Sequence, residues 1–197
     1  MYYGIYKGIR EAAWICLRDA EIDRLPVDVL KIARIAGIRV VRNSLAHILR
    51  RDELAKSFYD GRNWLIVYDD SRSTVESRLM VAHELGHILL GHDLKHTLYA
   101  DAKEFDKKPK SEQQADMFAL RLLCPACVLW GLDLHTPEDI AKYCRVPLDT
   151  AKERSARMNI LYERNKFLTS DIEKDVYSRF ESYISAELKL KKKLKNK

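Results

Sequence analysis

Two histidines stand four residues apart inside one stretch of helical periodicity, His83-Glu84-Leu85-Gly86-His87. The stretch marks its own start. Ser73 is followed three residues later by Glu76, the form of a capping box. Apolar residues then recur at Val75, Leu79, Met80, Ala82, Leu85, Ile88 and Leu89, as far as Gly91, which predicts a helix of about 17 residues. Side chains four apart share one helix face, with Cβ atoms roughly 5–6 Å apart. Both imidazoles can therefore reach a single zinc ion at about 2.0–2.1 Å. Glu84 points away from the axis of the ring pair. It can miss the ion yet reach a water beside it, which is the placement a general base needs. The bland alternative is a surface helix with two partly exposed histidines.

A catalytic zinc takes a third protein ligand and leaves its fourth position open. Downstream, Ser111 and Gln114 form another capping-box pattern, and ADMFALRLLC reads as a helix stopped by Pro125. Glu112 and Asp116 stand four apart in its first turns, as EQQAD. One of these carboxylates can bind the ion while the other accepts a hydrogen bond from a ligand histidine. An acidic residue at a helix N-terminus is also favoured by the dipole alone. Gly86 costs its helix roughly 1 kcal/mol relative to Ala. Either another segment approaches closely there, such as the Glu112 helix or a substrate strand, or the glycine is simply tolerated.

Around this pair the chain predicts a first helix over Ile9–Ile22, then a short helix opened by Pro26 and closed by Gly37. IRVVR at 38–42 reads as a strand, and SFYDGRNWLIVYD at 57–69 as a hairpin turning at DGRN. Residues 92–110, polar and rich in Lys and Asp, read as a loop. Thr136-Pro137 opens a helix with Asp139 at the box position; Leu148–Tyr162 and the amphipathic segment from Ser170 are helical. The fold class is α+β, a small helix/strand core carrying the HExxH helix, followed by a mostly helical half. The domains expected are 1–130, 131–187 and 188–197.

Charge bears on the choice of partner. The chain has 35 Lys and Arg against 29 Asp and Glu, a net charge of +6. The six lysines of Leu188–Lys197 account for that whole excess. A nucleic-acid-binding core would carry its basic surplus in the folded part, so direct DNA binding is not expected, and the tail reads as a solvated helix end. No apolar run reaches the ~18 residues of a membrane span. The N-terminus lacks a basic stretch leading into an apolar core, so no signal peptide is expected. Four cysteines make no disulfide scaffold, which suits a reducing cytoplasm.

Weaker signals have plain readings. Cys124 and Cys127, with Cys144 and His135, suggest a second zinc site; reduced, partly buried thiols are the expectation. His47, His92 and His96 carry no ligand spacing. His92, His96 and Tyr99 are taken as ordinary loop residues rather than oxyanion stabilisers. Residues Pro137–Met158 resemble a helix-turn-helix, with Lys152, Arg154 and Arg157 on the second helix and Arg145 where the turn usually has glycine. A packing or partner-docking role is expected for that segment.

VYDDSRSTVESRLMVAHELGHILLGH followed by EQQADMFALRLLCP closely resembles the ImmA/IrrE family of bacterial zinc metallopeptidases. LPVDVLKIARIAGIRVV is similar to that family's opening, so the resemblance spans about residues 25–130. Two positions depart from the pattern: Gln114, where the family often has Glu, and Cys124, where it often has Met. The resemblance implies metal roles for His83, His87 and Glu112, the base role for Glu84 and, for Asp116, a supporting role behind the ligands, accepting a hydrogen bond from a ligand histidine. It implies a Zn2+-dependent endopeptidase, with Mn2+ or another divalent ion also accepted by such ligands. The substrate it implies is a specific helix-turn-helix repressor, often encoded on a mobile element or in a stress-response locus, whose cleavage relieves repression. The alternative is a non-hydrolytic regulator that binds a repressor or DNA.

Overall fold

A computed structural model describes residues 3–92, 95–99 and 108–195. Its elements run α1 (Tyr3–Asp19), α2 (Val29–Ile35), β1 (Ile38–Arg42), α3 (Asn43–Ala46), β2 (Glu53–Tyr59), β3 (Trp64–Tyr68), α4 (Thr74–Leu89), β4 (Lys95–Tyr99), α5 (Lys110–Leu123), α6 (Ala126–Gly131), α7 (Pro137–Cys144), α8 (Leu148–Glu163) and α9 (Asp171–Lys195). The class is α+β, with helices throughout the second half. The chain divides into two units, Met1–Ala13 with Asp28–Leu120 and Trp14–Val27 with Arg121–Lys197.

In the first unit the four strands lie in the order β1-β3-β2-β4. β1 pairs with β3 in parallel, Ile38 opposite Trp64; β2 runs antiparallel to both β3 and β4. The β-branched run at 38–42 and the hairpin at DGRN therefore form as their sequences specify. Period-two alternation along β2 turns Glu53, Ala55 and Ser57 to one buried face. Helix α4 packs on β2 and β3. Ala55, Ile66 and Val67 of the sheet and Val81, Ala82 and Leu85 of α4 are fully enclosed. The Ser73–Glu76 capping box forms in both directions: the serine hydroxyl accepts from Glu76 N–H while the Glu76 carboxylate accepts from Ser73 N–H.

The second unit is helical. Val176, Phe180 and Ile184 of α9 are buried at helical spacing, and Leu132, Leu134, Ile140 and Met158 are enclosed within the same unit. α6 packs on α9 so closely that a Cβ on Gly131 would lie 2.8 Å from both Ile184 and Tyr177 side-chain carbons. Thr136 caps α7 by accepting from Asp139 N–H, with Pro137 in the first turn.

Four expectations are corrected. Helix α1 begins at Tyr3 rather than Ile9. Pro26 does not open α2; Asp28 does, its carboxylate accepting from Leu30 and Lys31 N–H. Residues 95–99 form strand β4 at the sheet edge rather than loop. Helix α5 starts at Lys110, so Ser111 lies inside its first turn, and the Gln114 side chain turns to His92 instead of back to a cap.

Candidate metal centre

The middle of α4 is polar and yet buried. Met80 through His87 are all enclosed, with His83 3 %, Glu84 0 % and His87 1 % exposed. That excludes the surface-helix reading of HELGH. Burying three such groups is tolerable only if each finds a polar partner, and other elements of the same unit supply them.

Helix α5 comes close to α4 at Gly86. Its approach explains Gly86: a Cβ there would stand 3.1 Å from Ala115 Cα and 3.1 Å from Phe118 Cδ1. The close crossing brings Glu112 over the histidine pair. His83 Nε2 lies 3.0 Å from His87 Nε2. Glu112 Oε2 is 3.3 Å from His83 Nε2, and Oε1 is 3.5 Å from His87 Nε2. Among the described residues these three are the one group of His, Cys, Asp or Glu with donor atoms converging as a metal requires. The triangle suits an ion of tetrahedral habit. Ligand atoms at about 2.0–2.1 Å from such a centre stand about 3.3–3.4 Å from one another, close to all three edges. Two imidazoles and a carboxylate are also a donor set that divalent ions accept.

One turn further along α5, Asp116 Oδ1 lies 2.9 Å from His83 Nδ1, and Lys108 Nζ donates to Asp116 Oδ2 at 2.7 Å. A carboxylate accepts only, so His83 Nδ1 carries a proton, and Nε2 is the ring atom that faces Glu112. Burial opposes a charged ring at His83. The hydrogen bonds to Asp116 and Glu112, and the negative charge of Asp116 and Glu84, outweigh it and raise the pKa to about 9. Burial likewise works against the Asp116 carboxylate, but hydrogen bonds from His83 and Lys108 hold its pKa below the usual range. A site that draws a proton this strongly also draws a metal cation, which must displace that proton to bind.

Glu84 leaves the triangle and enters the sheet side, where Ser57 Oγ donates to its Oε2 at 2.5 Å. Both residues are buried. At the C-terminal end of α4, His92 Nδ1 lies 3.0 Å from His87 Nδ1, and His92 Nε2 lies 2.9 Å from Gln114 Oε1.

The five residues singled out in the sequence thus meet in one place: His83, His87 and Glu112 at the triangle, Glu84 beside it and Asp116 behind His83. Of four further neighbours, Ser57 and Lys108 were not singled out, while His92 was read as an ordinary loop residue and Gln114 as a capping residue. Ser57 shares the buried face of β2 with Glu53 and Ala55, a polar position in an alternating strand that was there to be read. His92 follows Gly91 at a helix end, where the chain folds back over the last turn. Lys108 carried no spacing signal, and the spacing of Gln114 from Ser111 pointed to a cap instead. The thiols form no metal cluster among the described residues; Cys124, Cys127 and Cys144 are buried and form no disulfide. Burial, with the charge of Glu173 nearby, raises the Cys127 pKa to about 12. The side chains of His96 and Tyr99 lie outside the described residues. In the helix-turn-helix-like segment, Arg154 is only 4 % exposed and is not displayed towards a phosphate. No helix among the described residues is long and apolar enough to cross a membrane.

Residues 33–156 match the family model of the IrrE N-terminal-like domain, Peptidase_M78. No curated protein matches the chain.

Proposed function

The chain belongs to the IrrE N-terminal-like family, Peptidase_M78, and we propose that it is a zinc-dependent endopeptidase cleaving a specific helix-turn-helix repressor. Membership supports a peptidase of metallo type, and hence a protein substrate. The observation that carries the metal-dependent part of this reading is the triangle of His83 Nε2, His87 Nε2 and a Glu112 carboxylate, with edges of 3.0, 3.3 and 3.5 Å; the repressor substrate rests on the family resemblance.

In this reading His83, His87 and Glu112 hold the ion. Zn2+, when bound, polarises a scissile carbonyl and lowers the pKa of a water towards ~7. The other steps belong to the chain. Asp116 keeps the proton on His83 Nδ1 and so keeps Nε2 available as a ligand. Ser57 fixes one oxygen of Glu84 by donating to it. Glu84 takes a proton from the attacking water and passes it to the leaving amine nitrogen. Glu112, with 18 % of its side chain exposed, is the most open of the three ligands and marks the side from which a peptide enters. Catalysis belongs to residues 1–130 and a packing or docking role to 131–187. The lysine-rich end, helical through Lys195, is an accessory. Cleavage takes place in the cytoplasm and relieves repression of a mobile element or a stress-response locus.

The test pairs the zinc-loaded protein with the helix-turn-helix repressor encoded beside its gene. Mass spectrometry should find one discrete cut. Glu84→Gln should keep zinc and lose cleavage by roughly 10²–10⁴-fold. If Glu84→Gln still relieves repression with zinc retained, the protein acts by binding alone and the protease reading fails.

A further inference from the structure

Helix α4 ends in a Schellman turn. His92 N–H donates to His87 C=O at 2.9 Å and Gly91 N–H to Ile88 C=O at 3.2 Å, with Gly91 in the left-handed region at φ +71°. Such a turn lays the second residue past the cap over the third residue from the end. Here those two are His92 and His87, and their rings meet edge to face with centroids 4.8 Å apart.

The proton arrangement follows by elimination. For His87 Nε2 to serve as a ligand it must be bare, which leaves the ring proton on Nδ1. That Nδ1–H donates to His92 Nδ1, 3.0 Å away, so His92 Nδ1 must accept and the His92 proton must sit on Nε2. His92 Nε2 faces Gln114 Oε1 at 2.9 Å, an amide oxygen that accepts it. Each link has a donor and an acceptor, in one direction only. Were the amide turned to present its N–H₂, His92 would take the other tautomer and force a proton onto His87 Nε2.

We propose that His92 and Gln114 are positioning residues that hold His87 in its ligand tautomer through the chain His87 Nδ1–H to His92 Nδ1 and His92 Nε2–H to Gln114 Oε1. This rests on the reading of His83, His87 and Glu112 as metal ligands. The two histidine ligands are thereby supported in unlike ways. His83 leans on a carboxylate paired with Lys108, His87 on a neutral imidazole and an amide. Neither positioning residue touches the ion or the substrate; their effect reaches the site only through His87. Removing the terminal acceptor frees His92 to rotate or change tautomer, and the lone pair of His87 is no longer held on the metal side.

The test is the zinc dissociation constant of the full-length protein, by chelator competition, with the absorption spectrum of the Co2+-substituted protein as a second readout. Gln114→Leu and His92→Phe keep the bulk but lose the acceptor, and should weaken zinc binding roughly 10–100-fold and alter the Co2+ spectrum. Gln114→Glu restores an acceptor oxygen and should bind zinc within a few-fold of the parent. Thermal unfolding of the metal-free variants checks that each is folded. Parental affinity in both Gln114→Leu and His92→Phe overturns the relay while leaving the metal centre standing. So does equal weakening in Gln114→Leu and Gln114→Glu, since the acceptor would then not matter. If the parent binds no zinc, or binds it equally well as His83→Ala, the metal-centre reading itself falls.

Discussion

Helices α4 and α8 both bury polar side chains, with opposite consequences. On α4 the buried groups are His83, Glu84 and His87; on α8 they are Arg154 and Ser155, flanked by Ala151 and Met158. Ser155 donates to the main-chain carbonyl of His135 at 2.9 Å, a bond that fastens one helix to a neighbouring turn. The polar groups of α4 are instead met by side chains from three other places, Ser57, Asp116 and His92. With those partners in place, the two Nε2 atoms are turned to a common point with a carboxylate. A packing helix has no use for such convergence, since three acceptor atoms brought together in a low-dielectric interior need a proton or a metal ion between them. The HELGH motif and the helix-turn-helix-like motif were both visible as strings, and burial of their polar residues separates them.

The sharpest way to break that contrast is at the helix crossing. Gly86→Val should force α5 away from α4, since its Cβ alone would meet Ala115 Cα at 3.1 Å. Overpacking of this kind costs typically 1–3 kcal/mol. We expect a lower unfolding midpoint and zinc binding weakened by more than about 100-fold, because Glu112 moves with α5. Parental zinc affinity in a folded Gly86→Val protein would show that the crossing does not set the triangle.

Next in size is Asp116→Asn. The amide can still accept from His83 Nδ1–H but loses its charge and its ion pair with Lys108. Zinc affinity should drop roughly 10–100-fold, read by chelator competition. A smaller effect is expected of Ser57→Ala, which removes the hydrogen bond to Glu84 and touches none of the three ligands. Zinc affinity should hold while kcat falls about tenfold, equivalent to about 1.4 kcal/mol, with KM unchanged. An equal loss of zinc affinity would place Ser57 in the metal site rather than behind the base.

The least effect belongs to α8. Lys152 pairs only with exposed Asp149 at 3.0 Å, so Lys152→Ala should change stability by no more than about 0.5 kcal/mol and leave zinc affinity alone. A large loss of repressor cleavage without loss of zinc would show α8 to be a docking surface.

The site was legible where the helical period joined residues of one element. His83 with His87 and Glu112 with Asp116 are each four apart, and Ser73 with Glu76 marked the start of α4. Strand β1 and the β2–β3 hairpin were legible from β-branched runs and a turn. What escaped depends on contacts between elements. Strand β4 is five residues within a polar stretch, and its conformation comes from pairing with β2. Gln114 reaches His92 only once α5 has crossed α4, and Lys108 reaches Asp116 only once the chain before α5 has settled against its first turns. His92 was hidden by its loop-like surroundings, although a glycine and a histidine after a helix that carries His87 three residues from its end are the marks of a Schellman turn.

The most direct measurement is X-ray absorption at the zinc edge of the zinc-loaded full-length protein, with the metal counted per chain. One zinc is expected, bound by two imidazole nitrogens at about 2.0–2.1 Å and a carboxylate oxygen at about 2.0–2.2 Å. A sulfur shell near ~2.3 Å would move the metal to the cysteines, and a protein that retains no zinc would contradict the metal centre altogether.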